Sequence, residues 1–231
     1  SDIDQNVGRI LDTLEALGQM DNTVVIYTSD HGLSLGQHGF WGKGNGTRPL
    51  NMYDVSIRVP LIVYGAGIPG GVEVEGCVDH FDTFQTICEL CGVELDLEVR
   101  YPGQSYLPLV LGEQVEDWDD ARYGEYGDLR MIRTRHYKLV RRYPRGPDDL
   151  YDLQNDPGET ENLIDRAELA STRDVLLTSL EVFYSEFDDP EKSGLRVKAL
   201  PRHNSPQKPS QVVSSEAWRD GIREGRGLQR Y

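Results

Sequence analysis

The sequence predicts an α/β fold: a mixed or parallel sheet with flanking helices, followed by a small antiparallel α+β subdomain. Three observations lead there. A helical apolar period over residues 3–17 passes through a short turn into Thr23-Val-Val-Ile-Tyr-Thr28, a β-branched run apolar on both faces. A second apolar run, Pro60-Leu-Ile-Val-Tyr64, closes on a Gly- and Pro-rich turn. Beyond Pro108 strands follow one another without βαβ alternation.

Taken in order, Ile3, Val7, Ile10, Leu11, Leu14 and Leu17 share one helical face. Ser1, Asp2 and Asp4 favour the helix start and Gly18 supplies its stop. The run 23–28 suits a central parallel strand. Residues 32–46 carry six glycines among polar and aromatic residues, which predicts a long ordered loop at the sheet edge. Residues 60–64 predict a second buried strand, and residues 79–91 a helix stopped by Gly92. On it Phe81, Phe84, Ile87, Cys88 and Cys91 form a periodic face expected to be buried, with the cysteines as small core residues. Cys88-Glu-Leu-Cys91 has metal or redox spacing, but no second pair completes a tetrahedral site, and the three cysteines are odd in number.

Arg130-Met-Ile-Arg-Thr-Arg-His-Tyr-Lys-Leu-Val140 reads as a hairpin turning near residues 134–136. Leu150-Tyr-Asp-Leu153 reads as a further strand, Asn155-Asp-Pro-Gly158 as a turn, and residues 169–187 as an amphipathic helix. These elements divide the chain into an α/β part at 1–115, an antiparallel subdomain at 116–190 and an extended tail at 191–231.

The chain has 231 residues and a net charge of -15, which disfavours nucleic acid as a partner. No apolar run approaches the roughly 20 residues of a membrane-spanning helix. The first residues lack the pattern of a signal peptide, and the chain starts without Met, as a fragment or a processed chain would. The compartment stays open.

Asp30-His31-Gly32 follows directly on the first strand, and ligands gather beyond the carboxyl ends of strands in open α/β sheets. A carboxylate beside an imidazole there is either a pair of metal ligands or a turn-capping Asp with a packed His. Lys43, flanked by glycines in Trp41-Gly-Lys-Gly-Asn-Gly46, suits a tetrahedral oxyanion, or is a solvated loop lysine.

Together the motifs resemble the sulfatase family of the alkaline phosphatase superfamily. Thr28-Ser-Asp-His-Gly-Leu-Ser-Leu-Gly-Gln-His-Gly-Phe-Trp-Gly-Lys43 resembles its late metal-and-lysine segment. Asn51-Met-Tyr-Asp-Val-Ser-Ile-Arg-Val-Pro-Leu-Ile-Val63 resembles the strand that follows, and His80-Phe-Asp-Thr-Phe-Gln-Thr-Ile87 the next helix start. Leu150-Tyr-Asp-Leu-Gln-Asn-Asp-Pro-Gly-Glu-Thr-Glu-Asn-Leu163 resembles the C-terminal signature. The resemblance implies an alkaline phosphatase-like fold and hydrolysis of sulfate esters or sulfamates. It places late metal ligands on Asp30 and His31, for a divalent cation that is most often calcium, with manganese or magnesium as alternatives. It places the oxyanion-contacting lysine on Lys43. His38 and Asn45, in the same loop, are candidates to touch substrate.

The family's nucleophile, a formylglycine made within Cys/Ser-x-Pro/Ala-x-Arg, has no counterpart at the three cysteines. Ser215-Glu-Ala-Trp-Arg219 fits the bare pattern but follows the metal segment instead of preceding it, so it is taken as chance. The resemblance therefore implies that the chain supplies a C-terminal portion, is inactive alone, and depends on an N-terminal sulfatase part as a separate chain or upstream sequence. The implied substrate is a sulfated small molecule or glycan. A phosphonate monoester hydrolase or phosphodiesterase of the same superfamily, and a non-catalytic scaffold or binding module, are the alternative readings.

Overall fold

In a computed structural model of the chain, residues 1–197 and 199 are described, and Ser1–Arg196 form one unit. The tail expected beyond residue 200, including Ser215 to Arg219, lies outside the described residues. Helix α1 (Asp2–Ala16) begins where the Ser1 side chain accepts the Asp4 amide, with Asp2 and Asp4 placed favourably in the first turn. It ends at Gly18, whose φ of +64° is open to glycine at little cost. Strand β1 (Val24–Thr28) pairs antiparallel with β4 (Leu61–Gly65), in register Ile26 to Val63. The parallel pairing expected for residues 23–28 is thus corrected: among the described residues the only partner of β1 is antiparallel.

Between them lie the two-residue strands β2 (Ser34–Leu35) and β3 (Trp41–Gly42), paired with each other, and the one-turn helix α2 (Asp54–Ile57). Helix α3 (His80–Leu90) opens with a reciprocal capping box between Asp79 and Asp82. A short helix α4 (Leu107–Val110) follows. Strands β5 (Arg122–Tyr126), β6 (Leu129–Arg133), β7 (Tyr137–Arg142) and β8 (Asp149–Asp152) then form an antiparallel meander, and α5 (Ala170–Phe187) crosses it. The β6–β7 hairpin, the strand at 149–152 and the helix at 170–187 fall where the sequence placed them. Among the described residues, no helix is long and apolar enough to cross a membrane.

The meander is covered on both faces. Strand alternation sends Ile132, Leu139 and Leu150 toward Leu176 and Leu180 of α5. The opposite face presents Leu129, Met131 and Val140 to Met52, with Leu50 and Ile57 packed alongside. Residues 50–57 are therefore the layer on which the meander rests.

Two burial expectations fail for one reason. On β4, Ile62 and Tyr64 are more than half exposed, and on α3 Phe81, Phe84 and Ile87 are about half exposed, with Cys88 half-buried and Cys91 exposed. The face of α3 turned inward is polar. Asp82 pairs with Arg122 at 3.1 Å and accepts the Gln104 amide, while Thr86 accepts the Tyr106 amide. Ile3, Ile10 and Leu17 of α1 are likewise exposed. Apolar periodicity marks a face that requires cover; it does not say that the cover lies within the same unit.

Where α2 meets the meander, a charge cluster joins them. Arg133 and Lys138 stand directly opposite each other on β6 and β7, an arrangement unfavourable for two cations unless anions lie between them. Asp54 supplies one, bonded to Arg133 at 3.0 Å and paired with Lys138. Glu159 supplies the other, at 2.6 Å from the fully buried Lys138 ammonium, and it also accepts the Asp54 amide at 2.6 Å. Glu159 takes a left-handed φ of +54° to reach this position.

Burial opposes the charged form of Asp54, but hydrogen bonds and charge from Arg133 and Lys138 outweigh it, lowering the carboxyl from 3.8 to about 2. A depression of this size corresponds to about 2 kcal/mol. Since the folded carboxyl is the stronger acid, that stability is complete above about pH 4 and is lost as the pH falls toward 2. Denaturant melts at stepped pH check this: Asp54→Asn should flatten that part of the acid limb. Lys138→Ala, which strands the buried Glu159 carboxylate and leaves Asp54 with Arg133 alone, should cost about 3–5 kcal/mol. Arg166→Ala, in the exposed pair with Glu161, should leave the denaturant midpoint within error of the parent.

Candidate functional site at the end of strand β1

The chain leaves β1 into a turn pinned from three directions. Ser29 Oγ donates to the His31 carbonyl at 3.0 Å, His80 Nε2 donates to the Ser29 carbonyl at 2.9 Å, and the Gly32 amide donates to the Ser56 carbonyl at 3.0 Å. A Cβ at Gly32 would fall on the Val55 carbonyl oxygen, so only glycine lets this turn lie against α2.

Within the turn, Asp30 Oδ2 and His31 Nε2 are 3.7 Å apart. His31 Nδ1 is 2.8 Å from the Gly32 carbonyl, to which it donates, and Nε2 is turned toward the carboxylate. The Asp30 side chain is 86 % exposed, and no hydrogen bond within the described residues engages its oxygens. An imidazole whose other nitrogen is fixed by a carbonyl, beside an unengaged carboxylate, is a donor pair that fits a divalent cation. Among the described residues, no group of three His, Cys, Asp or Glu side chains could hold a metal ion. The pair therefore offers two donors, too few by itself for a complete metal site.

The other predicted residues lie on the loop that follows. His38 takes a left-handed φ of 54° and stacks flat on Tyr53, ring centroids 3.7 Å apart. Lys43 and Asn45 are exposed on either side of the buried Gly44, and no hydrogen bond or ion pair within the described residues links either to Asp30 or His31. The Lys43 carbonyl accepts the Gly46 amide at 2.8 Å and the Gly44 carbonyl accepts the Asn51 amide at 3.2 Å, closing a tight turn around the lysine. Thr47 Oγ1 also donates to the Gly44 carbonyl, and Asn51 Nδ2 donates to that hydroxyl.

One segment therefore braces both halves of the candidate site. Residues 51–57 meet the Asp30–His31 turn at Gly32 and the lysine turn at Gly44, and buried Ser34 and Ser56 hydroxyls, 3.0 Å apart, tie the loop to α2 between them. Residue pattern alone assigned no role to Asp54, Lys138 or Glu159, which hold this segment. The signal available was the Arg133/Lys138 register of the predicted hairpin, which calls for an acid from elsewhere. Tyr126 of β5, whose ring packs on Gly44, left no sequence signal.

Gly44→Ala should disturb the lysine turn selectively, because the new Cβ would meet the Asn51 carbonyl oxygen and lie 2.9 Å from the Tyr126 ring. A loss of about 1–3 kcal/mol is expected. Hydrogen exchange should show faster opening at residues 43–51 and unchanged protection in β6 and β7.

The chain is similar to known proteins in sequence and in fold. Residues 1–93 match the family described as Sulfatase. An N-acetylglucosamine-6-O-sulfatase of Bacteroides thetaiotaomicron is 32% identical over 200 residues, which is 81% of this chain and 34% of that protein. A solved structure of a protein in complex with its substrate D-glucosamine-2-N,6-O-disulfate superposes with a TM-score of 0.70 at 31% identity, covering 83% of this chain and 40% of the other. A phosphonate monoester hydrolase of Agrobacterium radiobacter superposes with a TM-score of 0.68 at 28% identity, over 80% of this chain and 39% of its own. The chain spans about a third of the length of the curated relative. The motif order, the fold and these similarities make the chain a member of the sulfatase family, with the α/β fold of the alkaline phosphatase superfamily.

Proposed function

We propose that the chain contributes the Asp30–His31 metal pair and the oxyanion-binding Lys43 to a site that hydrolyses sulfate esters or sulfamates. The observation that carries this reading is the paired donor set at the end of β1: Asp30 Oδ2 lies 3.7 Å from His31 Nε2, with the other ring nitrogen fixed on a carbonyl. Asp30 Oδ2 and His31 Nε2 would hold a divalent cation, calcium first, with manganese or magnesium as alternatives. Such an ion, when bound, polarises the oxygens of a tetrahedral oxyanion. Lys43 places a compact ammonium beside the transferred group and favours charge on the leaving oxygen. His38 and Asn45 border the substrate, with Tyr53 holding the His38 ring in place.

The remaining acidic ligands and the formylglycine nucleophile come from an N-terminal sulfatase part, as upstream sequence or a second chain. The exposed apolar faces of α1, β4 and α3 are the surface it would cover. Domains divide at about residues 115 and 190, and this chain alone does not turn over substrate. The substrate is a sulfated glycan or small molecule, in keeping with the N-acetylglucosamine-6-O-sulfatase and the disulfated glucosamine complex among its relatives. The phosphonate monoester hydrolase neighbour favours a second reading, in which the same groups receive a phosphonate or phosphate diester.

The test uses the complete protein, assayed with an aryl sulfate, a phosphodiester and a phosphonate monoester. Asp30→Ala and His31→Ala should each weaken divalent-cation affinity by at least about tenfold. Lys43→Ala should lower kcat/KM by about 10²–10³ with metal content retained. Wild-type metal affinity in Asp30→Ala would remove the metal assignment. Faster turnover of the phosphonate than of the sulfate would favour the second reading.

A further inference from the structure

We propose that Tyr126, delivered by the antiparallel meander, is a positioning residue that holds the Lys43 turn in place. This inference rests on the site assignment above and extends it to a different part of the fold. Tyr126 closes β5, directly opposite Leu129 across a tight turn whose Gly127 takes a left-handed φ of 58°. Its ring is half-buried among Met52, Leu129, Met131 and Val140. From there its edge reaches Gly44, the residue after Lys43, so closely that a Cβ on Gly44 would lie 2.9 Å from Tyr126 Cε2. Gly44 has no side chain because the Tyr126 ring and the Asn51 carbonyl occupy that space.

Burial first, and then the Asp30 carboxylate, push the ionisation of its phenol above the usual tyrosine value. Tyr126 thus touches the lysine turn with its ring edge, although it comes from a separate sheet.

Its platform is rigid. The buried Arg130, next to Leu129 on β6, bonds Glu125 at 2.7 Å and Asp188 at 2.7 Å, and its guanidinium stacks 3.9 Å from the Tyr184 ring centroid. Glu125 also accepts the Gly194 amide at 2.7 Å, tying down the residue beside Tyr126. A flat side chain on an anchored hairpin, pressed against a glycine with open backbone choices, limits where Lys43 can point.

The experiment measures sulfate binding by calorimetry and divalent-cation affinity by chelator competition, both on the complete protein, with melting temperatures alongside. Tyr126→Ala should weaken sulfate binding at least tenfold while cation affinity stays within threefold. Tyr126→Phe, which keeps the ring, should bind sulfate within threefold of the parent. If the alanine variant does not fold, Tyr126→Leu keeps apolar volume without the flat ring and should show the alanine pattern. Sulfate affinity within threefold of the parent in Tyr126→Ala, or in Tyr126→Leu where that variant stands in, with Lys43→Ala at least tenfold weaker, would overturn this proposal alone. Unchanged sulfate binding in Lys43→Ala itself would overturn the site assignment and this proposal together. Parallel loss of sulfate binding, cation binding and melting temperature in every folded variant would show a general packing role and overturn it as well.

Discussion

The buried ammonium of Lys138 is the constraint on which the rest of this unit depends. A fully enclosed lysine is tolerable only with its charge matched, and it is matched by Asp54 from α2 and Glu159 from the loop after β8. Those two acids come from sequence positions 105 residues apart, and Glu159 also accepts the Asp54 amide. Three segments remote in the chain are thereby held at one point. Removing the cation leaves the Glu159 carboxylate uncompensated and Asp54 with Arg133 alone, and removing either acid leaves an under-compensated lysine, so the three groups depend on one another.

What this junction fixes is the support of the candidate site. Residues 51–57 form the floor under both the Asp30–His31 turn and the Lys43 turn, and they touch each where glycine allows close approach, at Gly32 and Gly44. Rigid placement of catalytic groups needs locked neighbours, and here the locks are backbone hydrogen bonds, buried serine hydroxyls and a charge cluster rather than a large apolar core. The meander is accordingly more than an appendage. Through Asp54 it fixes the floor, and through Tyr126 it reaches the lysine turn itself.

The polar underside of α3 obeys the same logic. Asp82, almost fully buried, closes the capping box with Asp79, accepts the Gln104 amide and pairs with Arg122 at the start of β5. The helix therefore meets this unit through satisfied polar groups while its Phe81, Phe84 and Ile87 face outward. The helix thus turns its polar face inward and its apolar face outward. The same holds for Ile62 and Tyr64 on β4 and for Ile10 on α1, which extend that outward apolar surface.

The sequence by itself determined the local elements and the chemistry at their ends. Capping residues, apolar periods and Gly or Pro stops act over a few residues, so α1, α3, α5 and the β6–β7 hairpin were legible from pattern alone. The ordered motifs singled out Asp30, His31 and Lys43 as candidates, because side chains that bind ions must be of particular types at particular spacings. Only the tertiary structure decided the antiparallel pairing of β1 with β4, the outward turn of the apolar face of α3, and the roles of Asp54, Lys138, Glu159 and Tyr126. Those outcomes depend on partners distant in the chain. A period reports that a face needs cover without naming what covers it, and a lone charge in a strand gives no hint of the acid that will neutralise it.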